Sequence, residues 1–214
     1  MEMNMAKMMQ SVETIGSGPR SWREEAEMLL SLLDCVILNR EAVYASSEFT
    51  TGTRFYDLCR KYNVKTAEDL KRRLADEYLN RLLTPNKDEG IRFARKLRGL
   101  GNSTVLTPNP FHADPLNQRR NWSQSEYLDF WKLVISKKCH AVYFNDGWQF
   151  SNGCTFEYLA GLTAGVQLFD YCGEPLKLGV AIEMIATAIE GLEKDGFSVP
   201  RLREVLAGLS SFSP

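Results

Sequence analysis

Four short apolar runs rich in β-favouring residues, separated by segments with helical spacing, restrict what this chain can fold into. The runs are Ala42-Val43-Tyr44-Ala45, Thr104-Val105-Leu106, Ala141-Val142-Tyr143-Phe144 and Val166-Gln167-Leu168-Phe169. Strands this apolar are buried on both faces, and their alternation with helices implies an α/β fold built on a doubly wound, mostly parallel sheet with helices on both faces. Right-handed crossovers then predict the strand order 2-1-3-4.

The helices announce themselves by their ends. Ser21-Trp22-Arg23-Glu24 and Ser123-Gln124-Ser125-Glu126 both have the S-x-x-E form of a capping box, predicting helices over about 22–38 and through Lys137. Residues 53–83 are charged and helix-prone, with a start at Thr66 and a boundary at Pro85. A further amphipathic helix is expected over 88–98, stopped by Gly99 and Gly101. Others are expected over about 154–164, closed by Gly165, over about 177–194, and from Pro200 onward.

In a flavodoxin- or Rossmann-like sheet of this kind, ligands bind beyond the carboxyl ends of the strands. The loops at 46–52, 107–121 and 145–153 would open there. The last of them carries the strongest local signal, Asp146-Gly147-Trp148-Gln149-Phe150-Ser151-Asn152-Gly153-Cys154-Thr155-Phe156-Glu157. Ser151, Asn152 and Gly153 stand where a helix begins, and free N–H groups with the helix dipole make such a point receptive to anions. Glu157 lies about one turn further, its side chain leaning back toward that same end. One loop thus presents an anion cradle and a carboxylate together. An acid in a first turn also simply complements the dipole, and a Ser there also serves as a plain N-cap.

Composition excludes several other chemistries. With 214 residues and a formal net charge of −1, the chain has room for a sizeable core and no basic excess that would mark a nucleic-acid or membrane partner. Five cysteines without paired spacing give neither a disulfide framework nor a zinc motif, and no metal or cofactor is expected. Two histidines supply little for Ser-His-Asp or Cys-His catalysis. No apolar run reaches the ~20 residues of a membrane span. Residues 1–20 are Met-rich and polar without the apolar stretch of a signal peptide, so a flexible tail and a cytoplasmic location in a reducing compartment are expected.

The pattern Asp-Gly-Trp-x-x-Ser-x-Gly-x-x-x-Glu over 146–157, followed by Ala160 and Gly165, resembles the signature of the nucleoside 2-deoxyribosyltransferase superfamily, and within it the nucleoside 5′-monophosphate N-glycosidase branch. Val43 to Ser47 resembles the family's first strand and substrate loop, and Thr104 to Phe111 its second. The resemblance covers roughly residues 42–195. It implies that Glu157 is a nucleophile at the anomeric carbon, forming a glycosyl-enzyme intermediate through an oxocarbenium-like transition state.

The resemblance also implies roles for other residues. Ser151 replaces the Asp that the nucleoside transferases tend to place six residues before the nucleophile, and Ser47 matches a phosphate-contacting Ser. Both favour a nucleoside monophosphate, since a carboxylate would repel phosphate where a hydroxyl beside helix N–H groups binds it. A second carboxylate would be Asp129, on the helix before the third strand, or Asp146. Phe49, Phe111 and Trp148 are candidates to stack on the base, or are core aromatics. Arg54 is a candidate partner for phosphate or base. Ser47, Phe49, Arg54, Trp148, Ser151, Asn152 and Gly153 therefore form the expected substrate contacts. Two departures from the family are an added N-terminal helix and a helical insertion at about 57–88, within a single domain over 21–214. A homodimer with the site near its interface is expected. A base-exchanging transferase and a non-catalytic nucleotide-binding sensor are the alternatives; a NAD glycohydrolase fits the motif spacing less well.

Overall fold

A computed structural model describes residues 21–101, 103–108 and 122–212. The expected tail over 1–20, together with Phe111 and most of the 107–121 loop, lies outside the described residues.

The four strands are β1 (Ala42–Ser46), β2 (Thr104–Leu106), β3 (Cys139–Phe144) and β4 (Gln167–Phe169). They form one all-parallel sheet in the order β2-β1-β3-β4, the order expected from crossover handedness. The helices are α1 (Trp22–Val36), α2 (Thr53–Tyr62), α3 (Ala67–Arg73), α4 (Ala75–Glu77), α5 (Thr84–Leu100), α6 (Gln124–Lys138), α7 (Asn152–Thr163), α8 (Leu178–Lys194) and α9 (Pro200–Ser210). Both capping boxes are present, with Ser21 and Ser123 accepting from the backbone N–H of Glu24 and Glu126 while those carboxylates bond back to the cap N–H.

Strand periodicity sorts β1 between the two faces of the sheet. Val43 and Ala45 pack with Val105 and Ala141 against Phe93, Ala94 and Leu97 of α5. Ala42, Tyr44, Val142 and Phe144 face the larger core, shared with α1, α6, α7, α8 and α9. Ser46 follows Tyr44 by two and therefore stands on the same face. That face is where α7 lies.

The segment around Pro85 departs from the sequence expectation. Pro85 was expected to bound a helix, and instead sits at the first turn of α5, with the chain helical through Glu77, Tyr78, Leu83 and Thr84. Proline has no N–H to donate to the carbonyl four residues back and its ring crowds that carbonyl. The ladder accommodates it with a π-helical stretch, Tyr78–Leu83, immediately upstream.

Among the described residues no helix is long and apolar enough to cross a membrane. Three of the five cysteines are buried, and all five are free thiols.

Candidate active site

Glu157 is the centre of the site. The chain leaves β3, passes Asn145 and a left-handed Gly147, makes a single 3-10 turn over Trp148–Phe150, and enters α7 at its N-cap Ser151. The Ser151 hydroxyl accepts from the N–H of Cys154 at 3.4 Å, and the Asn152 N–H donates to Thr51 Oγ1 at 3.0 Å, tying the start of α7 to the loop after β1.

Glu157 itself is 5 % exposed. Both carboxylate oxygens are held by hydroxyls from β1: Tyr44 donates to Oε1 at 2.6 Å and Ser46 to Oε2 at 2.6 Å. The i, i+2 spacing of Tyr44 and Ser46 is what lets one short strand grip one carboxylate twice. Burial pushes the Glu157 carboxyl up to about 7, against the lowering effect of the Ser46 and Tyr44 hydrogen bonds. Burial, then the Glu157 charge, holds the Tyr44 phenol well above its ordinary value, so it remains a donor. Cys154, one turn before Glu157, is likewise raised, first by burial, and is no thiolate at neutral pH.

A cavity of about 400 Å³ opens beside this carboxylate. Its polar lining includes Ser47, Thr50, Thr51, Gln124 and Ser151 next to Glu157, with Gly153 beside them, and its aromatic lining is Phe49, Tyr78, Trp122, Tyr127 and Trp131. Among the described lining residues Glu157 is the only carboxylate, and there is no Lys or Arg. Among the described residues no group of three or more His, Cys, Asp or Glu side chains is placed to hold a metal ion.

Of the residues singled out in the sequence, the structure brings Glu157, Ser47, Phe49, Ser151 and Gly153 to this one cavity. Five others go elsewhere. Asp129 is exposed on α6. Gln124, Tyr127, Leu128 and Trp131 give that helix its cavity face, and at 100° per residue Asp129 falls on the far side. Asp146 is exposed too, its Oδ1 accepting the N–H of Gly147 at 3.0 Å as a turn residue does. Trp148 is 2 % exposed and belongs to the core, stacked on Tyr158 at 5.2 Å. Arg54 donates to Asn86 Oδ1 at 2.7 Å and pairs with Glu89 at 2.6 Å, lining a small polar cleft with Glu48 and Asp146. Asn152 lines a separate groove of about 80 Å³ between α6, α7 and α9.

The sequence reading did not assign Tyr44 and Ser46 to the carboxylate, or Tyr78, Trp122, Tyr127 and Trp131 to the cavity. The strand alternation carries a signal for the first pair, because residues two apart on β1 share whichever face α7 covers.

No family model, curated protein or solved structure matches this chain.

Proposed function

We propose that this protein cleaves the N-glycosidic bond of a nucleoside 5′-monophosphate through a covalent glycosyl–Glu157 intermediate, releasing free base. The observation that carries the reading is a buried carboxylate, gripped on both oxygens by hydroxyls and set in the wall of a cavity that also holds the Ser151 helix start. In the first step a Glu157 oxygen forms a bond to the anomeric carbon as the C–N bond breaks, its electron pair leaving with the base. In the second, water attacks the same carbon, Glu157 departs as carboxylate, and the proton that water loses passes through solvent to balance the one the departed base takes up. Capture by a second base in place of water is the transferase version of the same chemistry. The Tyr44 and Ser46 bonds fix the carboxylate before the substrate arrives, so little reorganisation accompanies attack. Asp129 and Asp146 do not line the cavity and are not carried into this reading.

Phosphate would lie against Ser47, Ser151 and the N–H of Gly153, since the Asn152 and Cys154 N–H groups already donate to Thr51 and Ser151. A second reading, with the plain nucleoside as substrate, is favoured by the absence of Lys and Arg among the described lining residues. The free thiols are in keeping with a reducing cytoplasm. The exposed Leu32 and Val36 of α1 are in keeping with a homodimer, which light scattering at micromolar concentration tests.

Release of base from a matched nucleoside and its 5′-monophosphate, in wild type and Ser151→Ala, tests both readings. Loss of a hydrogen bond to a charged group lowers kcat/KM roughly ten- to a hundredfold. That loss is expected for the monophosphate alone. Equal slowing of both substrates means that Ser151 serves only as the helix cap, and the monophosphate assignment fails.

A further inference from the structure

The helical segment after α2 has no role in the chemistry above, yet it supplies part of the cavity. Ala67, the first residue of α3, and Tyr78, the first residue of the π-helical stretch, both line it. The other lining residues come from the loop after β1, from Pro108, from Trp122 and α6, and from the start of α7. One wall is therefore made by a segment independent of the nucleophile and of the anion cradle.

This segment is firmly seated. Leu70 and Leu82 are fully buried on either side of Tyr78. One turn into the following helix, Asn86 is 2 % exposed; its amide N–H donates to the carbonyl of Phe49 at 2.9 Å and its Oδ1 accepts from Arg54 at 2.7 Å. Glu89, one turn further, pairs with Arg54 and accepts from Asn145 Nδ2 at 3.2 Å. Asn86 and Glu89 thus join the loop bearing Phe49 to the loop that follows β3, fixing the segment with respect to both.

Tyr78 is half-buried on this fixed wall, and burial, then the charge of Glu68, holds its phenol above its ordinary value, so it stays neutral and able to donate or accept. π-Helical turns cluster at functional sites, and Pro85 gives this one a local cause. The remaining aromatic lining is Phe49, Trp122, Tyr127 and Trp131, which makes this side of the cavity largely apolar.

We infer that Tyr78 is a specificity-determining residue that reads the hydrogen-bonding edge of the nucleobase, with Ala67 beside it on the base-recognition wall. The inference rests on the glycosidase reading: with the anomeric carbon at Glu157 and the 5′ end against Ser47 and Ser151, the base is the part left to face the aromatic wall. A hydroxyl is the group by which an otherwise apolar base subsite tells one ring substituent from another.

The test uses the full chain and a series of 5′-monophosphates whose purine carries an amino group, a carbonyl or hydrogen at the edge remote from the sugar. Tyr78→Phe keeps the ring and removes the hydroxyl. The expected result is that wild type prefers the substituted purines and that Tyr78→Phe narrows this preference about tenfold, in KM more than in kcat. Ser151→Ala slows all three alike. Far-UV circular dichroism and the urea midpoint check that the variant is folded. An unchanged ranking in a folded Tyr78→Phe overturns the inference while leaving the chemistry standing. If wild type releases no base from any substrate, the glycosidase reading fails, and binding of adenine, hypoxanthine and purine as free bases, read by tryptophan fluorescence, still decides the role of Tyr78. Weaker and less selective binding by Tyr78→Phe supports it; equal binding, or none to either protein, overturns it.

Discussion

Two buried glutamates stand near the carboxyl end of β1 in different surroundings. Glu157 and Glu48 are 5 % and 9 % exposed, and burial raises both carboxyls to about 7. Their surroundings differ. Glu157 is held by side-chain hydroxyls on a strand and lines the large cavity. Glu48 is held from within its own loop, accepting on Oε1 from the Thr53 N–H at 2.8 Å and the Thr53 hydroxyl at 3.1 Å. It packs against two glycines with positive φ, Gly52 and Gly147, and faces the small cleft with Arg54. A raised carboxyl alone therefore does not identify a catalytic group; access to a cavity of substrate size separates the two.

The largest expected effect breaks the comparison at catalysis. Glu157→Gln keeps the shape and removes the proposed nucleophile, so base release is expected to fall at least about a thousandfold. Glu48→Gln, measured in the same assay, stays within about tenfold of wild type. Equal losses would place the chemistry elsewhere.

Stability reverses the ranking. A Cβ built on Gly52 stands 2.2 Å from Glu48 Cδ, and φ there is +132°, where L side chains are strained. Glu48 would have to leave its Thr53 donors. Gly52→Ala is expected to destabilise the fold by roughly 3 kcal/mol, read from the urea midpoint. Glu48→Ala in the same chain restores part of that loss by removing the obstacle, a coupling that a double-mutant cycle measures.

Both carboxyls also mark the pH dependence of stability. Each keeps its proton in the folded chain up to about pH 7 but loses it near 4.5 when unfolded. Between those values the folded state binds more protons, so stability falls as pH rises from 4.5 to 7 and then levels off. The loss is on the order of 3 kcal/mol per group. Either Gln variant should flatten part of this slope, and Glu157→Gln should be more stable than wild type at pH 8 while inactive. Chemical denaturation at pH 5 and pH 8 reads the difference; identical slopes in wild type and both variants would show that neither carboxyl is desolvated as described.

Much of this architecture is legible in the sequence because it is local. The S-x-x-E boxes at Ser21 and Ser123 announce α1 and α6, and the apolar runs with helical spacers give the parallel sheet and its order. The exposure of Asp129 is not legible there, since it is a candidate second carboxylate until the placement of α6 turns Gln124, Tyr127, Leu128 and Trp131 toward the cavity and Asp129 away from it. What escapes is non-local. Glu48 sits in a polar loop, and its burial depends on Gly147, about a hundred residues away. Pro85 normally ends a helix; it continues one here because a π-helical stretch absorbs the missing donor. Tyr44 reads as a core aromatic, packed at 5.7 Å against Trp131, and only the placement of α7 over β1 turns its hydroxyl toward Glu157.

That hydroxyl provides the smallest and most selective comparison. Tyr44→Phe leaves the ring against Trp131 and removes one of the two donors to Glu157. A hydrogen bond to a carboxylate stabilises the charged form, so its loss leaves burial opposed by Ser46 alone and the Glu157 carboxyl rises further above 7. A bond of about 1.5 kcal/mol corresponds to a shift of about one pH unit. Because the proposed nucleophile acts as the ionised carboxylate, kcat/KM should rise with pH through the Glu157 titration in wild type, and that limb should move about one unit toward alkaline pH in Tyr44→Phe. At pH 7 the variant would be slower by roughly fivefold, with most of the activity recovered near pH 9. Thr53→Ala removes a donor from Glu48 instead, and should leave the pH–rate profile in place while altering the stability curve. A Tyr44→Phe profile that falls uniformly without moving would mean that Glu157 does not titrate in the step being measured. A Thr53→Ala profile that moves would mean that Glu48, despite facing away from the cavity, shares in the chemistry.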